Sequence, residues 1–183
     1  MAVYKIFPTK DATLYSYYPS MNTGLDAILE ASNTINIEGN PIISRYFTEF
    51  DTTEIQDIIN NKISGSTFNV YLKNSISTAQ GINADITIET FPIAQSWNNG
   101  TGYYLDNPKV TDGVSWGFTT TSGSGNWSMS GSVSGYGYTG SYNSTYSIQG
   151  GGNWFTSSAL IPSISESFGL RSEKDLSLGV KEI

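Results

Sequence analysis

The chain contains neither cysteine nor histidine among its 183 residues, and these two absences exclude several kinds of chemistry. Without cysteine there is no disulfide framework, no thiolate nucleophile and no zinc–thiolate site. Without histidine there is no Ser-His-Asp triad and no imidazole ligand for a metal. Apart from lysine and tyrosine, the carboxylates are then the side chains left for acid–base catalysis.

Charge is also scarce, and its balance is acidic. Charged residues make up 14% of the chain, and 16 Asp+Glu against 9 Lys+Arg give a formal charge of −7. A nucleic-acid surface needs clustered lysine and arginine to displace counterions, so this composition argues against nucleic acid as a partner. No charged residue occurs from Gly113 to Ser165. Because that stretch is rich in tyrosine and tryptophan, it is typical of packed β-structure or contact loops and not of a disordered tail.

Long hydrophobic runs are missing as well. No apolar run approaches the roughly 20 residues of a membrane-spanning helix. The first residues, Met1 to Phe7, are interrupted by Pro8 and carry no small-residue cleavage site, so they do not form a secretory signal. We therefore expect synthesis in a cytoplasm, with no signal peptide and no membrane insertion.

Short strands dominate the pattern of apolar residues that is present. Alternation predicts half-buried strands over 67–73 and 84–91, and a buried strand over 43–50. Shorter runs predict further strands at 3–7, 12–15, 28–37, 114–118, 159–161 and 176–180.

A single helical pattern follows the strand at 43–50. Asp51 or Thr52 can cap its start, and Glu54 stands where the reciprocal partner of a capping box belongs. The apolar residues that follow fall on one helical face: Ile55, Ile58 and Ile59.

Together these elements predict one all-β domain that spans 1–183. The chain has no alternation of strands with helices, so we expect an antiparallel β-sandwich or jelly roll with one short helix. Residues 119–158 form a long uncharged insertion rich in Gly, Ser and Tyr. No linker of the kind that separates two domains is present, because the insertion carries too many aromatic residues for a simple tether.

The order of the elements resembles the DNRLRE family of β-sandwich domains. Those domains open with Asp-Ala-Thr and Asn-x-Gly motifs, then contain a strand, a second strand that ends in Phe-Asp, two further strands and a Trp. The matching segments here are 11–13, Asn22-Thr23-Gly24, 28–32, 45–51, 68–73, 86–90 and Trp97. Family members continue past a segment similar to 175–183. The resemblance therefore implies a C-terminal end that is truncated relative to the family, or final strands supplied by another chain.

The low charge, the uncharged insertion and the lack of a signal peptide are also similar to sandwich proteins of tailed bacteriophages. This likeness implies a structural, non-enzymatic virion protein of the tail, neck or fibre region, made in the host cytoplasm. Its expected partners are other virion proteins or identical subunits, together with a host-surface glycan. The alternative function is a carbohydrate-binding module, and a third is a glycan-cleaving enzyme with two converging carboxylates.

Aromatic residues are the main candidates for contact with a glycan or a subunit. The insertion supplies Trp127, Trp154, Tyr136, Tyr138 and Tyr142, for which packing at an interface and stacking on a sugar both remain open. Trp97 and Trp116 are predicted to lie in the sandwich core, because tryptophan is buried on average. The other candidates for stacking are Tyr15, Tyr17, Tyr18, Tyr103 and Tyr104.

Carboxylates and calcium ligands are weaker candidates. Glu89, Asp106 and Asp112 flank aromatic residues, but nothing in their spacing pairs them, and we expect them to be solvated or to cap turns. No cofactor is expected. If calcium does bind, its candidate oxygen ligands lie near one predicted loop, although there is no EF-hand pattern: Asp11, Asn22 and Asp26.

Overall fold

The computed structural model consists mostly of short strands, with one short helix. It describes residues 3–63, 71–74, 86–90, 93, 95–127, 133–134, 150–152, 154–155, 164–168 and 179–182. The elements in chain order are β1 (Pro8–Tyr15), β2 (Ser32–Ile35), β3 (Pro41–Phe50), α1 (Thr52–Asp57) with a π-helical turn at Ile58–Lys62, β4 (Tyr71–Asn74), β5 (Ile86–Thr90), β6 (Val133–Ser134), β7 (Trp154–Phe155), β8 (Ile164–Phe168) and β9 (Gly179–Glu182).

Every strand pairing in the described part of the chain is antiparallel. The first three strands form one sheet in the order β1-β3-β2, and the remaining strands pair two by two as β4-β9, β5-β8 and β6-β7. Among the described residues, these pairings confirm the predicted antiparallel, strand-rich character, and the one helix present is the short helix that was predicted.

The predicted strands match the structure to different degrees. The strands at 12–15 and 43–50 are confirmed within β1 and β3, and the 84–91 segment contains β5. The 28–37 segment is a strand only at β2. The predictions at 67–73 and 176–180 are met where described, by part of β4 and of β9, and 159–161 lies outside the described residues.

Two predicted strands are wrong. Residues 3–7 are in no strand, and Val3 and Phe7 are exposed. Residues 114–118 are apolar because they fill the core, but their backbone bonds to loops instead of to a neighbouring strand: Val114 N donates to Asn98 O (2.7 Å) and Gly117 N donates to Pro19 O (2.8 Å). An apolar run thus indicated burial correctly and strand pairing incorrectly.

The short helix begins at the predicted cap. Asp51 Oδ1 accepts a hydrogen bond from Thr53 N (2.7 Å), which satisfies one of the free N–H groups of the first turn. At its other end, the hydrogen bond from Lys62 lowers the pKa of Asp57, and the same contact raises the pKa of Lys62. The chain leaves through a wider π-helical turn, in which Ile58 is buried while Ile59 is 38% exposed.

The hydrophobic core lies on one face of the β1–β3 pair. Phe47 of β3 is at its centre, with its ring edge-on to Trp97 (5.9 Å between centroids) and to Trp127 (5.6 Å). The predicted burial of Trp97 and Trp116 is confirmed, at 3% and 1% exposure. The core residues are Ala12, Leu14, Ile43, Phe47, Trp97, Val114, Trp116 and Trp127.

An arginine lies among the core residues of this apolar face. Arg45 stands between Ile43 and Phe47 in β3, and its guanidinium carbon is 5.0 Å from the centre of the Trp116 ring. Its Nη1 donates to the carbonyl of Gly151 (3.2 Å). Burial lowers the pKa of Arg45 to about 10. The guanidinium is still charged at neutral pH, and the Trp116 ring and the Gly151 carbonyl stabilise that charge.

A fully buried side-chain amide joins three loops next to this core. Asn22 Nδ2 donates to the carbonyls of Asn99 (2.7 Å) and Val114 (2.8 Å). Its Oδ1 accepts from the backbone N–H of Gly24 (3.1 Å) and Gly102 (2.9 Å). The amide therefore uses both donors and both acceptor positions, and it replaces a backbone ladder where no strand is present.

Two further polar side chains tie the same loops to β1. Thr23 Oγ1 accepts from Thr13 N (3.0 Å) and donates to Thr13 O (2.6 Å), so a single hydroxyl satisfies both backbone groups of one strand residue. Asn99 Oδ1 accepts from Asp11 N (3.1 Å), and its Nδ2 donates to Gly24 O (2.7 Å). We call the contacts of Asn22, Thr23 and Asn99 the amide hub.

The packing of the amide hub leaves no room for a side chain at Gly100. A Cβ atom there would lie 2.1 Å from the carbonyl oxygen of Asp112 and 2.4 Å from Asn22 Oδ1. The residue also has a φ of 81°, a left-handed conformation that glycine adopts without strain. The loop after Trp97 can therefore close on Asn22 only because position 100 has no side chain.

The substitution Asn22→Asp tests the amide hub with almost no change in shape. It replaces the two donors of Nδ2 with an acceptor that faces the carbonyls of Asn99 and Val114, and it buries a charge. We expect a loss of about 3 kcal/mol or more in the free energy of unfolding, measured by chemical denaturation. Asn36→Asp is the matched control, because Asn36 uses only its Oδ1 as an acceptor for Glu38 N and Asn40 N. Equal stability of the two variants would contradict the role of Asn22.

A second test compares two glycines with the same backbone conformation. Gly100 and Gly39 have φ values of 81° and 83°, but a Cβ at Gly39 would meet nothing within 4 Å. We expect Gly39→Ala to cost only the backbone strain, roughly 1–2 kcal/mol of unfolding free energy. Gly100→Ala adds an overpacking cost of roughly 1–3 kcal/mol. Thermal melting of both variants measures the difference, and identical melting temperatures would show that the close approach at Gly100 is unimportant.

Candidate functional site

Four tyrosines meet at the surface: one ends β1, two lie in the turn that follows it, and one lies in a second loop. Tyr15 and Tyr104 have their ring centroids 5.0 Å apart, and Tyr18 and Tyr104 are 6.2 Å apart. Tyr17 packs edge-on against Tyr18 at 4.9 Å. We call Tyr15, Tyr17, Tyr18 and Tyr104 the tyrosine cluster.

Backbone hydrogen bonds hold the two loops of the tyrosine cluster in place. Tyr15 ends β1, and the turn that follows closes with a bond from Tyr18 N to Tyr15 O (3.1 Å). The loop that carries Tyr104 is joined to the first loop by bonds from Asn22 N to Val110 O (2.9 Å) and from Leu25 N to Gly102 O (3.0 Å). The rings are thus presented from a fixed frame, although neither loop is a regular element.

Carboxylates of these loops cap backbone N–H groups. Both oxygens of Asp26 accept from Tyr104 N (3.1 and 3.2 Å), and Asp106 Oδ2 accepts from Tyr103 N (2.7 Å). Asp112 binds Thr101 N (3.0 Å) and Thr101 Oγ1 (2.8 Å). The expectation of a turn-capping carboxylate is met by Asp106, whereas Asp112 bonds across the loop to a residue eleven positions away, and Glu89 is described only as a backbone position in β5.

A lysine lies beside the aromatic rings. Lys109 Nζ is 5.4 Å from the centre of the Tyr18 ring and 5.1 Å from that of Tyr104, and it donates to Tyr104 O. Cation–π attraction of this kind is worth about 0.5–1 kcal/mol at an exposed site. Lys109 therefore helps to fix the two rings relative to each other.

The phenol of Tyr15 is kept protonated by its surroundings. Its hydroxyl donates to Glu30 Oε2 (3.2 Å). Burial raises the pKa of Tyr15, and the nearby charges of Glu30 and Asp26 raise it further. Tyr15 therefore stays a neutral hydrogen-bond donor at physiological pH, and its ring supports Tyr104 from the side of the sheet.

Part of the tyrosine cluster and its neighbours is open to solvent. Tyr17 is 60% exposed and Tyr104 is 39% exposed. Leu105, next to Tyr104, is 89% exposed, and Leu25, which is bonded to the same loop, is 46% exposed. Aromatic rings, exposed leucines, a lysine and carboxylates therefore lie on the same two bonded loops, and together they can bind a ligand that has both apolar and polar faces.

The aromatic residues predicted in the insertion have different outcomes. Trp127 lies in the core at 5% exposure, with its Nε1 donating to Ser115 O (3.1 Å), so it is not available for stacking on a glycan. The polar residues beside Trp127 in the sequence gave no sign of this burial. The indole can be buried because its N–H donates to a carbonyl inside the core. Trp154 is described only as a backbone position, opposite Ser134 in the β6–β7 pair. Tyr136, Tyr138 and Tyr142 lie outside the described residues.

The candidate calcium ligands have other roles where the structure describes them. Both polar atoms of Asn22 are engaged in the amide hub, and Asp26 caps the backbone at Tyr104. Burial raises the pKa of the Asp11 carboxyl. Among the residues that the structure describes, no group of three or more Asp or Glu side chains could hold a metal ion.

Sequence patterns indicated some members of this site and missed others. The five tyrosines at 15, 17, 18, 103 and 104 were candidates because of their type, but nothing in the spacing indicated which rings would meet. Lys109 was missed altogether, since a single lysine near a proline has no pattern that distinguishes it from a solvated surface residue.

Within the described ranges, no helix is long and apolar enough to cross a bilayer.

Comparisons with known proteins leave the family open. No protein-family model, curated protein or solved structure matches this chain. The resemblance to DNRLRE domains therefore remains a prediction from the order of motifs, and the function has to be argued from the geometry of the fold and of the tyrosine cluster.

Proposed function

We propose that the chain is a structural component of a tailed-bacteriophage virion, in its tail, neck or fibre region. It acts by assembly with identical subunits or other virion proteins and not by catalysis. The antiparallel pairing of all described strands supports this, and a complete sandwich or jelly roll built on the three-stranded sheet is part of the proposal. The resemblance to phage sandwich proteins supports the same conclusion.

The observation that carries the proposal is the number of large apolar side chains that are exposed to solvent on loops fixed by backbone hydrogen bonds. Leu105, Tyr103 and Leu25 lie on the two bonded loops that carry the tyrosine cluster, at 89%, 46% and 46% exposure. Exposed apolar surface on a folded protein marks a binding site when it is extensive, and aromatic residues are enriched in protein interfaces. Further exposed apolar residues are Val3, Phe7, Ile28, Ile35 and Ile37.

The charged residues of the described part support a binding role over a catalytic one. Asp26, Asp106 and Asp112 are occupied in capping backbone groups of the site's own loops. A retaining or inverting glycosidase needs two carboxylates that face one glycosidic bond. Because these carboxylates already accept hydrogen bonds from the backbone of the two loops, a partner can cover the exposed apolar side chains without leaving the carboxylates unpaired.

Mass spectrometry of purified particles tests the virion role. We expect the chain to be recovered in a fixed ratio to the major capsid protein from gradient-purified virions of the phage that encodes it, since an assembled subunit is retained through purification. An encoded protein that stays in the soluble lysate serves as the control for carry-over. Absence of the chain from washed particles, when it is abundant in the lysate, would overturn the proposal.

Carbohydrate binding is a second candidate function, and the tyrosine cluster favours it. Tyr17 is 60% exposed, and hydrogen-bonding groups of Glu30 and Lys109 lie beside neighbouring rings of the cluster. A pyranose presents an apolar face to such a ring and hydroxyls to such polar groups. Each exposed aromatic contact is worth about 0.5–1.5 kcal/mol. A virion protein that also held a host glycan would combine both functions.

A glycan array with purified protein tests this second function. We expect saturable binding to at least one glycan, and we expect Tyr17→Ala to weaken that binding by up to about tenfold, because it removes one ring contact. Tyr4→Ala is the matched control, since Tyr4 is 44% exposed and its hydroxyl bonds to Lys62 O beside the helix, away from the cluster. Wild-type affinity in Tyr17→Ala, or an equal loss in both variants, would exclude the tyrosine cluster as the glycan site.

A further inference from the structure

The three-stranded sheet has two edges, and side chains of the amide hub close one of them. Along the outer side of β1, Asp11 N donates to Asn99 Oδ1 (3.1 Å) and Thr13 N donates to Thr23 Oγ1 (3.0 Å). The same hydroxyl donates back to Thr13 O (2.6 Å). These bonds use the backbone groups that another strand would need, so no strand can be added at β1.

The other edge, at β2, carries no further strand among the described residues. Ile43 of β3 directs its backbone groups toward the β1 side, where its N–H donates to Ser16 Oγ (2.9 Å) and its carbonyl accepts from Ser16 N (2.9 Å). Asn33 lies opposite Ile43 in the β2–β3 register and is therefore in a non-hydrogen-bonded pair. The N–H and C=O of Asn33, and those of Ile35 two residues on, thus point away from β3. Within the described parts of the chain, no hydrogen bond reaches them.

The side chains of β2 do not prevent another strand from pairing with this edge. β2 contains no charged residue and no proline, although lysine and proline are the usual means of blocking an edge strand. Ile35 is 59% exposed. Since Asn33 is opposite Ile43, Ile35 projects on the same face of the sheet as the core residue Ile43, at the border of the core.

We propose that β2 pairs antiparallel with β2 of a second copy of this chain, across a two-fold axis at Asn33, and so forms a continuous six-stranded sheet. The inference rests on the proposed function of subunit assembly and names the partner and the element that pairs. The strand is complementary to itself in this register, because Ser32 meets Thr34 of the second copy and Ala31 meets Ile35 of the second copy.

Charge favours this register over the next one that the hydrogen-bonding pattern allows. In the new antiparallel pair, residues whose backbone N–H and C=O point away from β3 must lie opposite each other. The two-fold axis can therefore pass only through a residue, and it moves from one residue to the next. An axis at Thr34 would place Glu30 opposite Glu38 of the second copy, and like charges in that position are destabilising. With the axis at Asn33, Glu30 lies opposite the neutral Asn36 of the second copy.

The difference between the two edges also fixes the number of copies. A sheet that is open at both edges can add strands without limit, whereas this sheet can accept a strand only at β2. Pairing of β2 with itself uses that edge on both copies. The product is therefore a closed dimer and not a filament.

Light scattering coupled to size-exclusion chromatography tests the dimer. We expect the wild-type chain to have the mass of two chains, and Asn33→Pro and Ile35→Lys to have the mass of one. Asn33→Pro removes an outward N–H that the sheet does not use, and Ile35→Lys places a charge in the new interface. Ile37→Lys is the matched control, because Ile37 is 104% exposed but lies in the turn beyond the paired segment, and it should remain a dimer.

Circular dichroism and thermal melting of each variant show whether the fold is retained, and if Asn33→Pro does not fold, Ile35→Lys decides alone. A wild-type chain that is a monomer at the highest concentration free of aggregates would overturn the proposal, as would folded variants that remain dimeric. The outcome is separable from the virion role. A monomeric chain found in purified particles overturns only the pairing, while a β2-dependent dimer that is absent from particles overturns only the virion role.

Discussion

The buried side-chain amide of Asn22 is the contact on which the described loops depend. It bonds to four backbone groups from three separate loop segments, and it is completely removed from water. Unsatisfied backbone groups in these loops would each cost about 1–3 kcal/mol, so the amide does in one residue what a strand ladder does elsewhere. Because no regular element connects residues 98 to 114, the shape of this region follows from Asn22 and from the lack of a side chain at Gly100. The core tryptophans Trp97 and Trp116 are placed by the same loops.

The same contact determines what the molecule presents to its surroundings. A flexible loop binds a partner weakly, since ordering its side chains upon binding costs conformational entropy. Here the loop of Tyr104 is held by Asn22, Asp26 and Lys109, and the loop of Tyr18 is held by the turn at the end of β1. The rings are therefore ordered before any partner arrives. A surface of preordered tyrosines with few charges suits a partner that is bound through shape and apolar contact, which applies to a neighbouring subunit and to a sugar ring alike.

Sequence patterns predicted those features whose cause is local. Asp51 was recognisable as a helix cap because the capping bond spans two residues, and β3 was recognisable from its apolar alternation. The Asn22-Thr23-Gly24 motif was visible as part of a resemblance, but the role of Asn22 was not, because its partners Gly102 and Val114 lie 80 and 92 residues away. Trp127 is a residue for which the sequence pattern indicated the wrong environment. Its polar sequence neighbours suggested the surface, and its burial depends on Phe47 and on a carbonyl supplied by Ser115, neither of which a pattern around position 127 contains. The composition of the tyrosine cluster could be anticipated by residue type, whereas its geometry required the pairing of two distant loops.

The amide hub also links the architecture of the sheet to assembly. Thr23 and Asn99 reach across from the hub and satisfy the outer backbone groups of β1, so the residues that hold the loops together also seal one edge of the sheet. Nothing equivalent covers β2 in the described structure. A soluble chain ordinarily guards such an edge, because an unpaired neutral strand invites pairing with any exposed strand it meets. An unguarded edge opposite a sealed one limits the sheet to a single further pairing, since two open edges would allow a fibre and two sealed edges would allow no pairing through the sheet.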